Sequence, residues 1–247
     1  MKKKLIVLIT LFLILVVWLA PATLINKFLP TNKNIAVSGL HGTIWSGSIG
    51  QLNANGWNFK ALDYTLDVLP LFVGNMGGSV LINKGDIEGN LEFSITGEQS
   101  LLIEEASIET EARLFESFLP IPGIGLNGNV STVDFSIQIE NKRPILLSGI
   151  TNWSDATVDI TNNLFELGQF QIDWQTNPNT GLITGKVVKT TNALALKGNV
   201  TLDQTGLLEF KGSISSKTQN AIYNAFLLFA DGKVSKERLP IKFKKKL

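Results

Sequence analysis

The sequence predicts a mainly β protein that begins with a single transmembrane helix. Near its start, the 21 residues 5–25 carry no charge, and fifteen of them are Leu, Ile, Val or Phe. Beyond them, short segments alternate apolar and polar side chains with the period of a strand that buries one face. The chain has 22 glycines, which repeatedly separate these segments, and no cysteine. These features favour a glycine-punctuated antiparallel sheet behind a membrane helix.

The apolar N-terminal segment follows a basic tail, since residues 2–4 are all lysine. About 20 apolar residues cross the hydrocarbon core of a bilayer, and positive charges stay on the cytoplasmic side. We therefore expect a cytoplasmic tail over residues 1–4, a transmembrane helix over residues 5–25 and a β-rich domain over residues 26–247 across the membrane. A cleaved signal peptide is the alternative, because Ala-Pro-Ala at residues 20–22 fits the small-x-small pattern of a cleavage site.

Charge and composition exclude several classes of function. Residues 31–232 carry 11 basic and 20 acidic side chains, whereas residues 233–247 carry seven basic side chains and one acidic. Proteins that bind nucleic acid present a basic surface, so the acidic body predicts no nucleic-acid partner. The absence of cysteine excludes disulfides, thiolate catalysis and cysteine-ligated metals.

The alternating segments predict strands in two series, followed by a helix and a last strand. The first series covers residues 57–69, a hairpin over 79–95 that turns at 84–86, and residues 101–108. A short amphipathic helix near residues 111–119 separates it from the second series. The second series covers residues 130–139, 144–153, 156–161, 165–174, 182–190, 194–203 and 207–215. A capping box opens a helix near 217–231, and a strand over 239–243 leads into three lysines.

The most distinctive stretch is a glycine-rich ribbon, Val-Ser-Gly-Leu-His-Gly-Thr-Ile-Trp-Ser-Gly-Ser-Ile-Gly at residues 37–50. Glycine weakens a strand interior, so repeated glycine here predicts turns, bulges or close backbone contact. We interpret the ribbon as an architectural corner around Trp45, which we expect to be a buried anchor. The structural motif that we expect comprises Gly39, Gly42, Thr43, Trp45 and Gly47.

The candidate chemical groups do not assemble into a predicted active site. His41 is the only histidine, so neither a His-based metal site nor a triad can be built from nearby residues; we interpret it as a loop residue. Five glutamates between residues 104 and 116 are neighbours in one segment, whereas glycoside hydrolysis needs carboxylates that face each other across a cleft. The tryptophans after the apolar segment are expected in strands as core anchors. We therefore predict no catalytic residue, no metal and no cofactor.

The ribbon also resembles a known family. Residues 38–47 look like the signature Gly-x-x-Gly-Thr-x-Trp-x-Gly of the type II secretion system protein N family, which follows an apolar N-terminal helix. The later order of features, with a Gly149-x-x-x-Trp153 element, is similar. The resemblance implies a non-catalytic accessory part, in the inner membrane, of the machine that moves folded proteins through the outer membrane. It also implies an elongated periplasmic β fold of the AsmA-like or β-taco type.

Three functions from different classes remain open. The first is a non-enzymatic component of type II secretion, whose partners are the inner membrane and other secretion subunits. The second is an AsmA-like lipid-handling or lipid-transfer protein, whose open sheet would hold acyl chains along one apolar face. The third is a secreted carbohydrate-binding β domain, which would require cleavage after Ala22, so an intact N-terminus would exclude it.

Overall fold

The computed structural model describes residues 2–24, 27, 35–54, 56–97, 99–119, 123–160, 163–191, 194–215, 223–224, 226–227, 230–232 and 237–246. It confirms a mainly β, antiparallel architecture. The chain divides into two compact units, unit 1 (Met1–Gly97) and unit 2 (Glu98–Leu247). Each unit is an antiparallel meander, because each strand of a unit pairs with the next strand along the chain.

Unit 1 contains two helices, one 3-10 turn and five strands among its described residues. The helical elements are α1 (Lys2–Trp18), the 3-10 turn Ala22–Leu24 and α2 (Val68–Leu71). The strands are β1 (Ile35–Gly42), β2 (Ser46–Ala54), β3 (Trp57–Leu66), β4 (Asn75–Gly85) and β5 (Ile87–Thr96). The predicted hairpin over residues 79–95 is therefore β4 and β5, which turn at Asp86.

Helix α1 is shorter than the sequence predicted. We expected a transmembrane helix over residues 5–25, but α1 ends at Trp18. Pro21 has no amide hydrogen with which to continue a helix, and it forms an isolated β-bridge with Thr43 instead. Among the residues that the structure describes, no helix combines the length and the hydropathy that crossing a membrane requires.

The sheet of unit 1 has one apolar face, which is built by cross-strand neighbours. Residues directly opposite each other in an antiparallel pair share a face, and Leu40, Ile49, Leu62 and Ile82 lie opposite one another in turn across β1 to β4. Leu40, Leu62 and Ile82 are buried. Ala22 packs on Leu40, so the 3-10 turn after α1 covers part of this face.

Unit 2 contains eight strands among its described residues, and each pairs antiparallel with the next. They are β6 (Ser100–Glu111), β7 (Ile124–Glu140), β8 (Arg143–Ile160), β9 (Asn163–Thr176), β10 (Ile183–Thr190), β11 (Lys197–Leu202), β12 (Leu207–Ser215) and β13 (Arg238–Lys246). The short helix expected near residues 111–119 is a 3-10 helix, Ala112–Phe118.

The core of unit 2 is rich in aromatic side chains. Trp153 stacks on Phe170 with ring centroids 5.5 Å apart, and Phe210 stacks on Phe243 at 5.3 Å. The helix expected near residues 217–231 lies mostly outside the described residues. Among its described members, Tyr223, Asn224 and Phe226 are helical, and Tyr223 and Phe226 pack on this core. Ala230 instead forms an isolated β-bridge with Ile241, so the helix ends before the predicted residue 231.

The lysines at the end of the chain form part of a strand. We expected a strand over residues 239–243 and a basic tail after it, but β13 runs to Lys246. Glu209 of β12 lies 3.0 Å from the amine of Lys211 and 3.2 Å from that of Lys244. Since Glu209 is directly opposite Lys244, this pairing of opposite charges favours continued strand pairing.

Candidate functional site

The glycine-rich ribbon forms the hairpin of β1 and β2. Gly39 and Gly42 lie in β1, Gly47 lies in β2, and Gly42 is directly opposite Gly47. Thr43 and Trp45 belong to the connecting loop, not to a strand. The interpretation of Trp45 as a buried strand anchor is therefore corrected: the side chain is half-buried and lies where the hairpin turns.

The two facing glycines leave no room for a side chain. A Cβ atom added at Gly42, whose φ is +92°, would lie 2.6 Å from the carbonyl oxygen of Ser46 and 2.7 Å from the Cα of Gly47. A Cβ atom added at Gly47 would collide with the carbonyl oxygen of His41. Strand backbones this close require residues without a side chain. The backbones of β1 and β2 therefore approach each other closely at the loop end of the hairpin.

Tyr64 occupies the space beside these glycines. It lies in β3 directly opposite Gly47, and its hydroxyl donates a 2.6 Å hydrogen bond to the carbonyl oxygen of Thr43. The side chain is buried, and burial raises the pKa of the Tyr64 hydroxyl. Tyr64 was not predicted as part of the site; its place in the alternating segment of β3 is visible in the sequence, but its pairing with Gly47 depends on strand register.

Thr43 holds the conformation of the hairpin loop. Its hydroxyl oxygen accepts hydrogen bonds from the backbone amides of Trp45 at 3.3 Å and Ser46 at 3.2 Å. Its own amide donates to the carbonyl oxygen of Ser46 at 2.9 Å. A threonine hydroxyl that binds amides two and three residues later stabilises a tight turn, and this turn sets the direction of the Trp45 side chain.

The loop is bonded to the end of helix α1. The indole Nε1 of Trp45 donates to the carbonyl oxygen of Val17 at 3.0 Å, and the amide of Ile44 donates to the carbonyl oxygen of Ala20 at 2.9 Å. The Val17 carbonyl also accepts a 3.3 Å hydrogen bond from the amide of Ala20, so Trp45 supplies a second donor at the end of the helix. We call this arrangement the helix-end junction; it comprises Val17, Ala20, Pro21, Thr43, Ile44, Trp45 and Tyr64.

Residues of β1 to β5 in unit 1 line an open cavity of about 620 Å³. His41, Ser48 and Asp63 lie directly opposite one another in turn and line this cavity. In a serine–histidine–aspartate triad the imidazole stands between the other two groups. Here Ser48 stands between them, and in the described part of unit 1 no hydrogen bond joins the three side chains. His41 itself lies in β1, which corrects its interpretation as a loop residue.

The five glutamates between residues 104 and 116 lie on strand β6 and the 3-10 helix of unit 2, and all are exposed. Glu111 forms an ion pair with Arg113, and Glu116 accepts a 2.8 Å hydrogen bond from the amide of Leu126. Within the ranges that the structure describes, no group of three or more histidine, aspartate or glutamate residues is placed to hold a metal ion. These carboxylates form a solvated surface with local partners.

Comparison with known proteins identifies one family. The family model described as type II secretion system (T2SS), protein N matches residues 33–226. The match begins before the ribbon and extends through most of unit 2. No curated protein matches the chain, and no solved structure does.

Proposed function

Because the chain belongs to the family of type II secretion system protein N, we propose that it is a non-enzymatic accessory component of that machinery. We further propose that it is held at the inner membrane with both β units in the periplasm, where other secretion subunits bind it. The helix-end junction is the observation that supports this proposal, because residues of the Gly-Thr-x-Trp-x-Gly motif bond the apolar helix α1 to the strands of unit 1.

The surface of α1 supports attachment to a membrane. Every large apolar side chain of this helix from Leu5 to Trp18 is between 49% and 67% exposed. Such a continuous apolar surface is unfavourable in water and marks a site of membrane or protein contact. The lysines at residues 2–4 stand at its start, where positive charge favours the cytoplasmic side.

The position of Ala22 supports retention of the N-terminal segment. Cleavage after Ala22 is the condition for the secreted alternative, yet Ala22 is fully buried against Leu40 and Tyr64. Pro21 and Ala20 are also bonded to the hairpin loop. Removal of residues 1–22 would take away one partner of each of these contacts, which favours a role for the segment in the mature protein.

The unit 1 cavity is lined by both polar and apolar side chains. Polar or acidic side chains line much of it, including Ser48, Asp63, Asn90 and Glu92. Val80, Leu81 and Leu91 line it as well, so the cavity offers both polar and apolar surface to a ligand. The order of His41, Ser48 and Asp63 across the strands also does not match a hydrolytic triad.

Affinity purification of the full chain tests this function. The protein, tagged at its C-terminus, would be extracted in mild detergent from a bacterium with a type II secretion system and examined by native mass spectrometry. We expect inner-membrane secretion subunits to co-purify, and untagged protein is the control. Stoichiometric lipid on most molecules without a protein partner would instead establish the lipid-handling function.

Topology and cleavage are tested separately. A periplasmic reporter fused after Leu247 should be active, and a cytoplasmic reporter at the same place should not be. The intact mass of the purified chain should include residues 1–22. An active cytoplasmic reporter would contradict the periplasmic location, and a mass that begins after Ala22 would contradict membrane retention.

A further inference from the structure

The connection between β3 and β4 presents a second exposed apolar surface in unit 1. Leu69, Phe72 and Val73 are 81%, 82% and 74% exposed, and Leu71 is also exposed. We call these four residues the apolar tip. The sequence carries no charge between Asp67 and Lys84. Scattered exposed leucines are ordinary, but four neighbouring large apolar residues without a charge mark an interaction site.

The backbone of the apolar tip is a short hydrogen-bonded turn. Phe72 donates an amide hydrogen bond to the carbonyl oxygen of Leu69, and Val73 donates to that of Pro70. At the base of the tip, the amide of Asp67 donates to the carbonyl oxygen of Gly77 at 2.8 Å. The connection is therefore a hydrogen-bonded turn with closed ends, and its apolar side chains point outward from a defined backbone.

The apolar tip and the helix-end junction lie at the same end of the unit 1 sheet. In an antiparallel meander the first and third connections are at one end, and these are the β1–β2 loop and the β3–β4 connection. Leu66, the last residue of β3, donates its amide hydrogen to the carbonyl oxygen of Trp45 at 2.7 Å. Trp45 in turn binds Val17 of α1. Helix α1 and the apolar tip, which both expose apolar side chains, are therefore connected to the same end of the unit 1 sheet.

We propose that the apolar tip inserts into the lipid bilayer beside α1, as a second membrane contact of unit 1. The inference rests on the proposed membrane attachment, because continuity with α1 identifies lipid as the occupant. Trp18, at the end of α1, is 58% exposed, and tryptophan favours the boundary between headgroups and acyl chains. Leucine and phenylalanine insert at the same depth. With α1 and the tip both in lipid, unit 1 cannot pivot freely on its helix.

Site-directed fluorescence tests the tip in the full chain. Since the protein has no cysteine, Phe72→Cys carries a single environment-sensitive nitrobenzoxadiazole (NBD) label. Lys84→Cys is the matched control, because Lys84 is exposed near the other end of β4, and Phe12→Cys reports on α1 itself. Each labelled protein would be reconstituted into vesicles of phosphatidylethanolamine and phosphatidylglycerol. Quenching is then measured with lipids brominated on their acyl chains and with aqueous iodide.

We expect the label at position 72 to be quenched by brominated lipid and protected from iodide, with the reverse at position 84. Iodide quenching at position 72 equal to that at position 84 would overturn the inference. Protection from both quenchers at position 72 would also overturn it, because protein would then cover the tip. The label at position 12 separates the two proposals. If iodide quenches it, the proposed attachment of α1 to the membrane is contradicted, independently of the result at position 72. Val73→Cys repeats the test at the adjacent position.

Discussion

The indole Nε1 of Trp45 donates a 3.0 Å hydrogen bond to the carbonyl oxygen of Val17, which lies 28 residues earlier in the chain. This bond connects the tryptophan of the family motif to the only described helix of unit 1 that is longer than one turn. Its acceptor lies in the last turn of that helix and also accepts a 3.3 Å hydrogen bond from the amide of Ala20. The tryptophan therefore acts both as a helix cap and as part of the hairpin loop.

Two substitutions of Trp45 separate the stability contributed by its Nε1 hydrogen bond from that contributed by the packing of its ring. Trp45→Phe removes the Nε1 donor and should lower the free energy of unfolding by about 1 kcal/mol. Trp45→Ala should cost more, but less than the ~3–5 kcal/mol of a fully buried aromatic ring, because Trp45 is only half-buried. Urea unfolding in mild detergent measures both values. Equal stability of Trp45→Phe and the original protein would show that the bond to Val17 contributes nothing.

Two glycines with the same backbone angle test the close approach in the hairpin. Gly42 and Gly56 have φ of +92° and +90°, but only Gly42 has atoms near the position of an added Cβ. Alanine at either position should cost about 1–2 kcal/mol of backbone strain. Gly42→Ala should cost roughly 1–3 kcal/mol more, through overlap with Ser46 and Gly47. Equal losses in urea unfolding would mean that backbone strain alone requires Gly42.

Local patterns in the sequence predicted the antiparallel sheet but not its long-range contacts. Period-2 alternation located most strands, and the turn residues around Asp86 located the hairpin of β4 and β5. The predicted end of α1 was wrong because the uncharged run continues past Trp18. Hydropathy alone does not show that Pro21 pairs with Thr43 and leaves the helix. The prediction that Trp45 is a buried anchor in a strand was also wrong, because its hydrogen-bond partner Val17 lies in a distant segment that local patterns do not connect to it.

Four described glycines of the sheets lie beside an aromatic ring, three of them beside a ring from a neighbouring strand. Tyr64 lies against Gly47, Trp174 lies against Gly185, and the Phe210 ring lies against Gly198 and Gly212. The pairing of ring and glycine depends on strand register, and register is not visible in one segment alone.

The contact between Trp174 and Gly185 should be measurable as a coupling energy. A Cβ atom added at Gly185 would lie 2.5 Å from Cζ3 of the Trp174 ring. Gly185→Ala should therefore destabilise unit 2, and the loss should be smaller when Trp174→Leu is also present. We expect a coupling of about 1–2 kcal/mol in a double-mutant cycle measured by urea unfolding. Additive effects would show that the ring and the added methyl group do not meet.

Acid should weaken the charge cluster around Glu209. The hydrogen bond from Lys211, with further support from Lys244, holds the pKa of Glu209 below its ordinary value of 4.5. A carboxylate with a lowered folded pKa stabilises the protein above the unfolded pKa, and this contribution is lost as pH falls through the folded pKa. Melting temperatures below about pH 4.5 should therefore fall less steeply for Glu209→Gln than for the original protein. Glu88→Gln, at an exposed position of β5, is the control.

Alkaline pH should reveal the buried hydroxyl of Tyr64. Burial raises its pKa above the ordinary value of 10.0, so the folded protein keeps the hydroxyl protonated to higher pH than the unfolded chain does. The stability from this difference is fully present below the unfolded pKa and is lost as pH rises through the folded pKa.

Tyr64→Phe isolates that contribution. At neutral pH the variant should be less stable by about 1 kcal/mol, because the carbonyl oxygen of Thr43 loses its donor. Phenylalanine does not titrate, so the gap between the two proteins should narrow as pH rises past about 10, whereas lysine deprotonation affects both equally. Urea unfolding at a series of alkaline pH values measures the gap. A constant difference throughout would mean that Tyr64 ionises as readily in the folded protein as in the unfolded chain.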